Sequence, residues 1–175
     1  LIDEKLKALR KTIKKSKVDP ELINLVTNTL SQQSEFKNFK FRSSTNAEDL
    51  AGFNGAGLYD SKSAKLGDSV KTVEKAILDV WASFWNERAY HEREIFNIDH
   101  LSCAMGILVH RSFPDELANG VLITKNIYRK EYKGITVNVQ KGEESVVKPE
   151  IGVTCDEFYV HNFNYLDNKL SVGYR

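Results

Sequence analysis

The sequence predicts an α+β fold, with helices first and a mostly antiparallel sheet after them. Two observations carry this. Residues 2–14 and 70–85 place apolar side chains at helical spacing. After residue 100 the pattern changes to short apolar runs of strand length separated by polar and glycine-containing turns.

The first helix is expected from about Ile2 to Lys14, with Ile2, Leu6, Leu9 and Ile13 on one face. Lys5, Lys7, Arg10, Lys11, Lys14, Lys15 and Lys17 fall elsewhere and read as a solvated face. Asp19-Pro20-Glu21 starts a second helix. Aspartate caps free N–H groups, and proline suits the first turn because it has no N–H to leave unpaired. Leu22, Ile23, Val26 and Leu30 continue its apolar side. Phe39 to Arg42 alternates apolar and basic residues and reads as a strand.

A polar, glycine-rich stretch spans 43–61, with Ala56 to Ser61 expected to return as a strand. Gly67-Asp68 opens the longest helical pattern, through Val70, Val73, Ile77, Val80, Trp81, Phe84 and Trp85. Trp81 and Trp85 lie one turn apart on that apolar face, which favours core packing over a base-stacking platform. The later strands are expected at 104–109, 120–124, 135–140, 158–161 and 170–174.

Bulk properties exclude several classes. Lys+Arg number 25 against 24 Asp+Glu, so no basic stripe argues for nucleic acid. No apolar run reaches the length of a membrane-spanning helix. The two cysteines, Cys103 and Cys155, have no metal-ligand spacing and are expected to be buried packing residues. Their scarcity fits a reducing cytoplasm. His91, His100 and His161 show no ligand spacing with any Cys or acidic pair, so no metal site is expected from them. The opening Leu1-Ile2-Asp3-Glu4 is neither a signal peptide nor a methionine start, and the end reads as a strand cut short. A fragment is expected.

The stretch from Arg42 to Ser61 carries the chemistry. An arginine leaves a strand beside two hydroxyls. Glu48 and Asp49 follow, then Gly52, Gly55 and Gly57. Clustered backbone N–H groups and the planar fork of arginine both suit phosphate. No Gly-Lys-Ser/Thr closes the loop, so it is not a P-loop, nor is it a dinucleotide fingerprint. On composition alone a plain turn and capping loop is favoured over a phosphate site.

Phe41-Arg42-Ser43-Ser44-Thr45-Asn46-Ala47-Glu48-Asp49-Leu50-Ala51-Gly52 resembles the V-R-S-S-A-T-A-E-D-L-P-G signature of the phosphoenolpyruvate synthase and pyruvate phosphate dikinase family. Further pieces follow in the same order. Ala56 to Ser61 is similar to that family's glycine loop, and Val80 to Ala89 to its C-W-A-S-L-F-T-D-R-A helix. Val109 to Pro114, Asn119 to Thr124, Gly142-Glu143 and Val153 to Phe158 resemble later pieces. The likeness covers roughly residues 38–160.

This resemblance implies an ATP-grasp-like N-terminal nucleotide-binding lobe, with residues 1–35 as a helical segment and 36–175 as the lobe, its C-terminal partner lobe missing. It implies binding of ATP with magnesium and transfer of a phosphoryl group to a histidine on a separate swivelling domain of the same parent chain. Arg42 matches the phosphate-contacting arginine, the one catalytic position implied. Ser43, Gly57 and Ser61 match nucleotide-binding positions of the phosphate loop. His110, Arg111 and Ser112 match the strand that meets adenine, and Glu143 the glutamate of the G-L-G-E segment. No metal ligand is matched; magnesium's ligands are expected outside this chain, as is the family's upstream lysine, so the chain alone is expected to be inactive.

Some positions depart from the family pattern. Ala51 stands where proline is usual, Leu58 and His110 where glutamine is usual, and Cys155 where proline is usual. These departures keep a second expectation open: a non-catalytic binding or regulatory module that retained the fold. Neither expectation fixes the final phosphoryl acceptor.

Overall fold

A computed structural model describes the protein except for residues 34, 51, 56, 114, 130, 132, 143–145, 147–151, 162–170 and 175. Of residues 49, 54, 161 and 171–174 it describes the backbone alone. Two compact units emerge, Leu1–Ser112 and Phe113–Arg175. Helices α1 (Ile2–Lys15) and α2 (Pro20–Ser31) pack on α3 (Val73–Ser83) in the first unit.

A three-stranded antiparallel sheet organises the first unit, in the order β4 (Lys62–Lys65), β1 (Asn38–Thr45), β5 (Met105–Arg111). Phe39 and Phe41 of β1 and Ala64 of β4 are buried with Val73, Ala76, Ile77, Leu78 and Val80, and Ile107 and Val109 of β5 pack against them. The period of two in β1 explains this: Phe39 and Phe41 face α3, leaving Lys40 and Arg42 for the opposite face. Alternation therefore sets both the core and the site.

Caps fall where local chemistry places them. Asp19 accepts from the Glu21 N–H at 2.8 Å with Pro20 in the first turn, and Thr72 accepts from the Lys75 N–H. Helix α3 ends near Phe84, and a separate helix α4 (Glu87–Ile95) follows. The expected long helix is thus two, and Val70 lies outside it, exposed, where Asp68 caps the turn at Val70 and Lys71. Trp81 packs against the main core and Trp85 against a second one.

Other expectations are corrected. Residues 57–61 do not form a strand, and residue 56 lies outside the described residues. A small hairpin, β2 (Asp49–Leu50) and β3 (Phe53–Asn54), comes first. Leu58 N–H then turns back to Gly55 O, and Gly57 takes a φ of +77°, a left-handed value no strand tolerates. On the basic side of the first helix Lys14 stays exposed while pairing with Asp79, but Arg10 is half-buried against Glu87 and the Trp85 carbonyl. Cys103 and Cys155 are half-buried free thiols rather than fully buried ones.

The second unit holds a four-stranded antiparallel sheet, β6 (Ala118–Ile123), β7 (Gly134–Lys141), β8 (Asp156–His161) and β9 (Ser171–Tyr174). Its buried side chains include polar ones. Thr136 is fully buried and donates to Lys125 O, and Asn126 accepts from the Tyr128 and Arg129 N–H groups. Asn138 Oδ1 and Gln140 Nε2, two residues apart on the same side of β7, are buried with no hydrogen-bond partner among the described residues.

Candidate phosphate-binding face and glycine hairpin

The face of the β4-β1-β5 sheet turned away from α3 gathers the polar residues. Register pairs Lys40 with Ser63 on one side and with His110 on the other, and pairs Arg42 with Leu108 and Ser44 with Gly106. Because paired residues in an antiparallel sheet project to the same side, Lys40, Arg42, Ser44, Ser63, Gly106 and His110 share one face. Arg42 is exposed, and Lys40 reaches Ser63 Oγ at 3.4 Å.

Arg42 is held by a specific contact. Its Nε donates to His110 Nε2 at 2.8 Å. His110 Nδ1 lies 2.6 Å from the Arg111 carbonyl. A carbonyl only accepts, so Nδ1 carries the proton and Nε2 is free to accept from the arginine. The imidazole is neutral in this arrangement and takes up one edge of the guanidinium. The two Nη groups have no partner among the described residues and remain available to an anion, the geometry in which arginine recognises phosphate.

The other sequence-selected residues fall at graded distances from this pair. Ser61 directly precedes β4, whose Lys62 pairs with Phe41, the neighbour of Arg42. Ser43 alternates to the face that carries Phe39 and Phe41, and Ser44 instead shares the Arg42 side. Arg111 lies opposite Phe39 and stacks over the Phe36 ring at 4.8 Å. Ser112 gives its N–H to Asn38 O at the sheet end. Gly57 sits in the turn after the hairpin, exposed. Glu143 lies outside the described residues.

The loop that follows β1 is built on a second core of Phe53, Leu58, Tyr59, Phe84 and Ala89. Asn46 ties its start to the 102–104 segment, donating to Ser102 O and accepting from the Ala104 N–H. Ala47 is fully buried. Its N–H goes to Thr45 Oγ1 and its carbonyl accepts from Tyr59 Oη at 3.3 Å. Burial raises the Tyr59 phenol above its usual value, opposed by the hydrogen bond from Arg93, so the hydroxyl stays protonated. No group of three or more His, Cys, Asp or Glu side chains among the described residues is placed to hold a metal ion.

Sequence reasoning missed Lys40, Asn46, Tyr59 and Arg93. Lys40 was within reach of it, because the alternation that defines β1 puts Lys40 and Arg42 on one side. Nothing local marks Arg93, whose partners lie up to 34 residues away.

The family model described as pyruvate phosphate dikinase, AMP/ATP-binding domain, matches residues 2–169. Among curated proteins, a rifampicin phosphotransferase of Bacillus subtilis (strain 168) is 26% identical over 166 residues, covering 94% of this chain and 18% of the relative. A rifampicin phosphotransferase of a Streptomyces species is 28% identical over 134 residues, covering 77% of this chain and 15% of the relative. That of Streptomyces sviceus is 31% identical over 117 residues, 66% of this chain and 13% of the relative. The chain thus spans less than a fifth of the length of these relatives.

Proposed function

The chain belongs to the pyruvate phosphate dikinase AMP/ATP-binding domain family, and from that premise we propose that its open sheet face binds the phosphates of ATP, with Arg42 as the principal contact. The observation that carries the reading is the Arg42–His110 pair. A neutral imidazole fixes the guanidinium through Nε and leaves its forked Nη donors turned to a ligand. Lys40 adds a second positive charge on the same face. Phosphoryl transfer needs little covalent help from a protein; it needs positioning and charge stabilisation, which a pre-oriented arginine supplies.

Ser61, beside β4, and the backbone of the Gly57 turn complete the loop side of this site. Arg111, on the Phe39 side of the sheet, and Ser112 belong to the proposed adenine strand through the family resemblance alone, as does any contact of His110 with the base. Ser43 and Glu143 belong to the proposed nucleotide set through the family resemblance alone. Magnesium would neutralise the β- and γ-phosphates when bound. The family resemblance puts its ligands outside this chain, and no step is derived through it.

The whole protein is proposed to be a dikinase-type phosphotransferase that passes the phosphoryl group to a histidine on another domain. The family match and the phosphotransferase names of the relatives support this. Incubating the full natural chain containing residues 1–175 with γ- and β-labelled ATP tests it. A labelled, acid-labile phosphohistidine is expected. A folded chain that binds ATP and gains no label overturns the transfer step.

One observation favours the second reading, a binding module without chemistry. Leu58, where the family loop has glutamine, is buried with Phe53, Tyr59 and Phe84 and so offers no polar contact to a ligand. The same labelling experiment separates the two readings.

A further inference from the structure

Arg93 of α4 is completely buried. Its Nη2 donates to Phe84 O at 2.8 Å, its Nη1 to Tyr59 Oη at 3.1 Å and its Nε to His100 Nδ1 at 3.0 Å. The guanidinium also lies 3.9 Å from the centre of the Phe84 ring, in cation–π contact. No carboxylate among the described residues pairs with it directly. His100 Nδ1 accepts from Arg93, so His100 carries its proton on Nε2, which donates to Glu94 Oε1 at 2.7 Å. Glu94 therefore balances the buried charge through the imidazole.

Burying a guanidinium is costly, and an apolar side chain of similar volume often serves stability as well. What an apolar residue cannot do is hand a hydrogen bond onward. Tyr59 Oη, having accepted from Arg93, donates to the Ala47 carbonyl. Ala47 is the first buried residue after β1, and the next carbonyl, that of Glu48, receives the Gly55 N–H at 2.7 Å. A Cβ on Gly55 would lie 3.0 Å from Glu48 Cα, so the two backbone segments are in close contact.

We infer that Arg93 is a positioning residue for the nucleotide site: through Tyr59 Oη it fixes the Ala47 carbonyl, and with it the glycine hairpin that follows Arg42. The inference rests on the reading of that loop and sheet face as the phosphate site. Its chemical content is a polar relay, Glu94–His100–Arg93–Tyr59–Ala47, that ends on backbone rather than on a side chain. The stacked Tyr59 and Phe84 rings, 3° from parallel, would survive loss of the hydroxyl, so packing and relay can be separated.

Tyr59→Phe removes the hydroxyl and keeps the ring; Arg93→Lys keeps a cation and loses the fork. In the full natural chain containing residues 1–175, ATP and adenosine affinities are measured by calorimetry, with amide exchange at Gly55 and Leu58 alongside. Tyr59→Phe is expected to weaken ATP by about two- to tenfold, the equivalent of one neutral hydrogen bond, and to leave adenosine unchanged. Arg93→Lys is expected to have the same selectivity. Exchange at Gly55 and Leu58 should quicken in both. If ATP and adenosine weaken by the same factor, or exchange is unchanged, the positioning role is overturned. If exchange quickens but the unaltered protein binds no ATP, the nucleotide reading alone falls.

Discussion

Replacing Arg42 by alanine tests the site with little risk to the fold. Arg42 is exposed, and among the described residues its side chain makes one hydrogen bond, from Nε to His110. Surface substitutions of this kind stay within about 0.5 kcal/mol of the starting stability. Its Nη donors, free among the described residues, are the groups a phosphate would take. Hydrogen bonds to a charged group contribute about 1.5–3 kcal/mol each. Loss of one net contact therefore predicts ATP binding weaker by roughly 10- to 150-fold, at about 1.4 kcal/mol per tenfold. Adenosine affinity should not move. Arg42→Lys should fall between, because an ammonium keeps the charge but not the planar fork that meets His110 and phosphate together. Titration calorimetry with ATP and adenosine on the full natural chain, with thermal unfolding in parallel, reads all of this. Unchanged ATP affinity in a folded Arg42→Ala protein would refute the assignment.

Other expected outcomes follow from single contacts. His110→Ala should weaken ATP by about two- to tenfold, and His110→Gln, whose amide oxygen can accept from Arg42 Nε, should restore most of it; an equal loss for adenosine would assign His110 to the base instead. Gly106→Ala places a Cβ 2.8 Å from the Ser44 carbonyl oxygen, and should lose about 1–3 kcal/mol in urea unfolding; an unchanged midpoint would mean β1 and β5 can separate freely. Thr72→Ala removes the α3 cap at Lys75 N and should cost about 1 kcal/mol. Tyr59 supplies a pH dependence. Burial raises its pKa above 10.0, so its contribution is intact below about pH 10. It is lost as pH rises through the folded-state value, because only the unfolded phenol ionises first. Urea midpoints should therefore fall more between pH 8 and pH 11 for the unaltered protein than for Tyr59→Phe.

How far the sequence reveals this molecule depends on the range of the interactions involved. The period-two pattern of Phe39 to Arg42 is local, and it set strand, core face and the side on which Arg42 lies; the register that brings His110 beside it is not local, spanning 68 residues. The Asp19 cap was legible because its partner is two residues away. The break between α3 and α4 was not, because the apolar spacing runs on through Phe84 and Trp85 while the chain turns there. Those two residues pack in the second core with Tyr59, and Arg93 draws the Phe84 carbonyl out of the helix ladder at 2.8 Å. The turn at 57–61 was not legible either. Leu58 and Tyr59, consecutive in sequence, both pack in that second core, and the positive φ of Gly57 turns the chain before β4 begins. Arg93 thus marks the break between α3 and α4. A buried cation that receives no carboxylate directly leaves no signature in spacing or composition. Its effect appears only where it bends the elements around it, and those elements are the ones that follow Arg42.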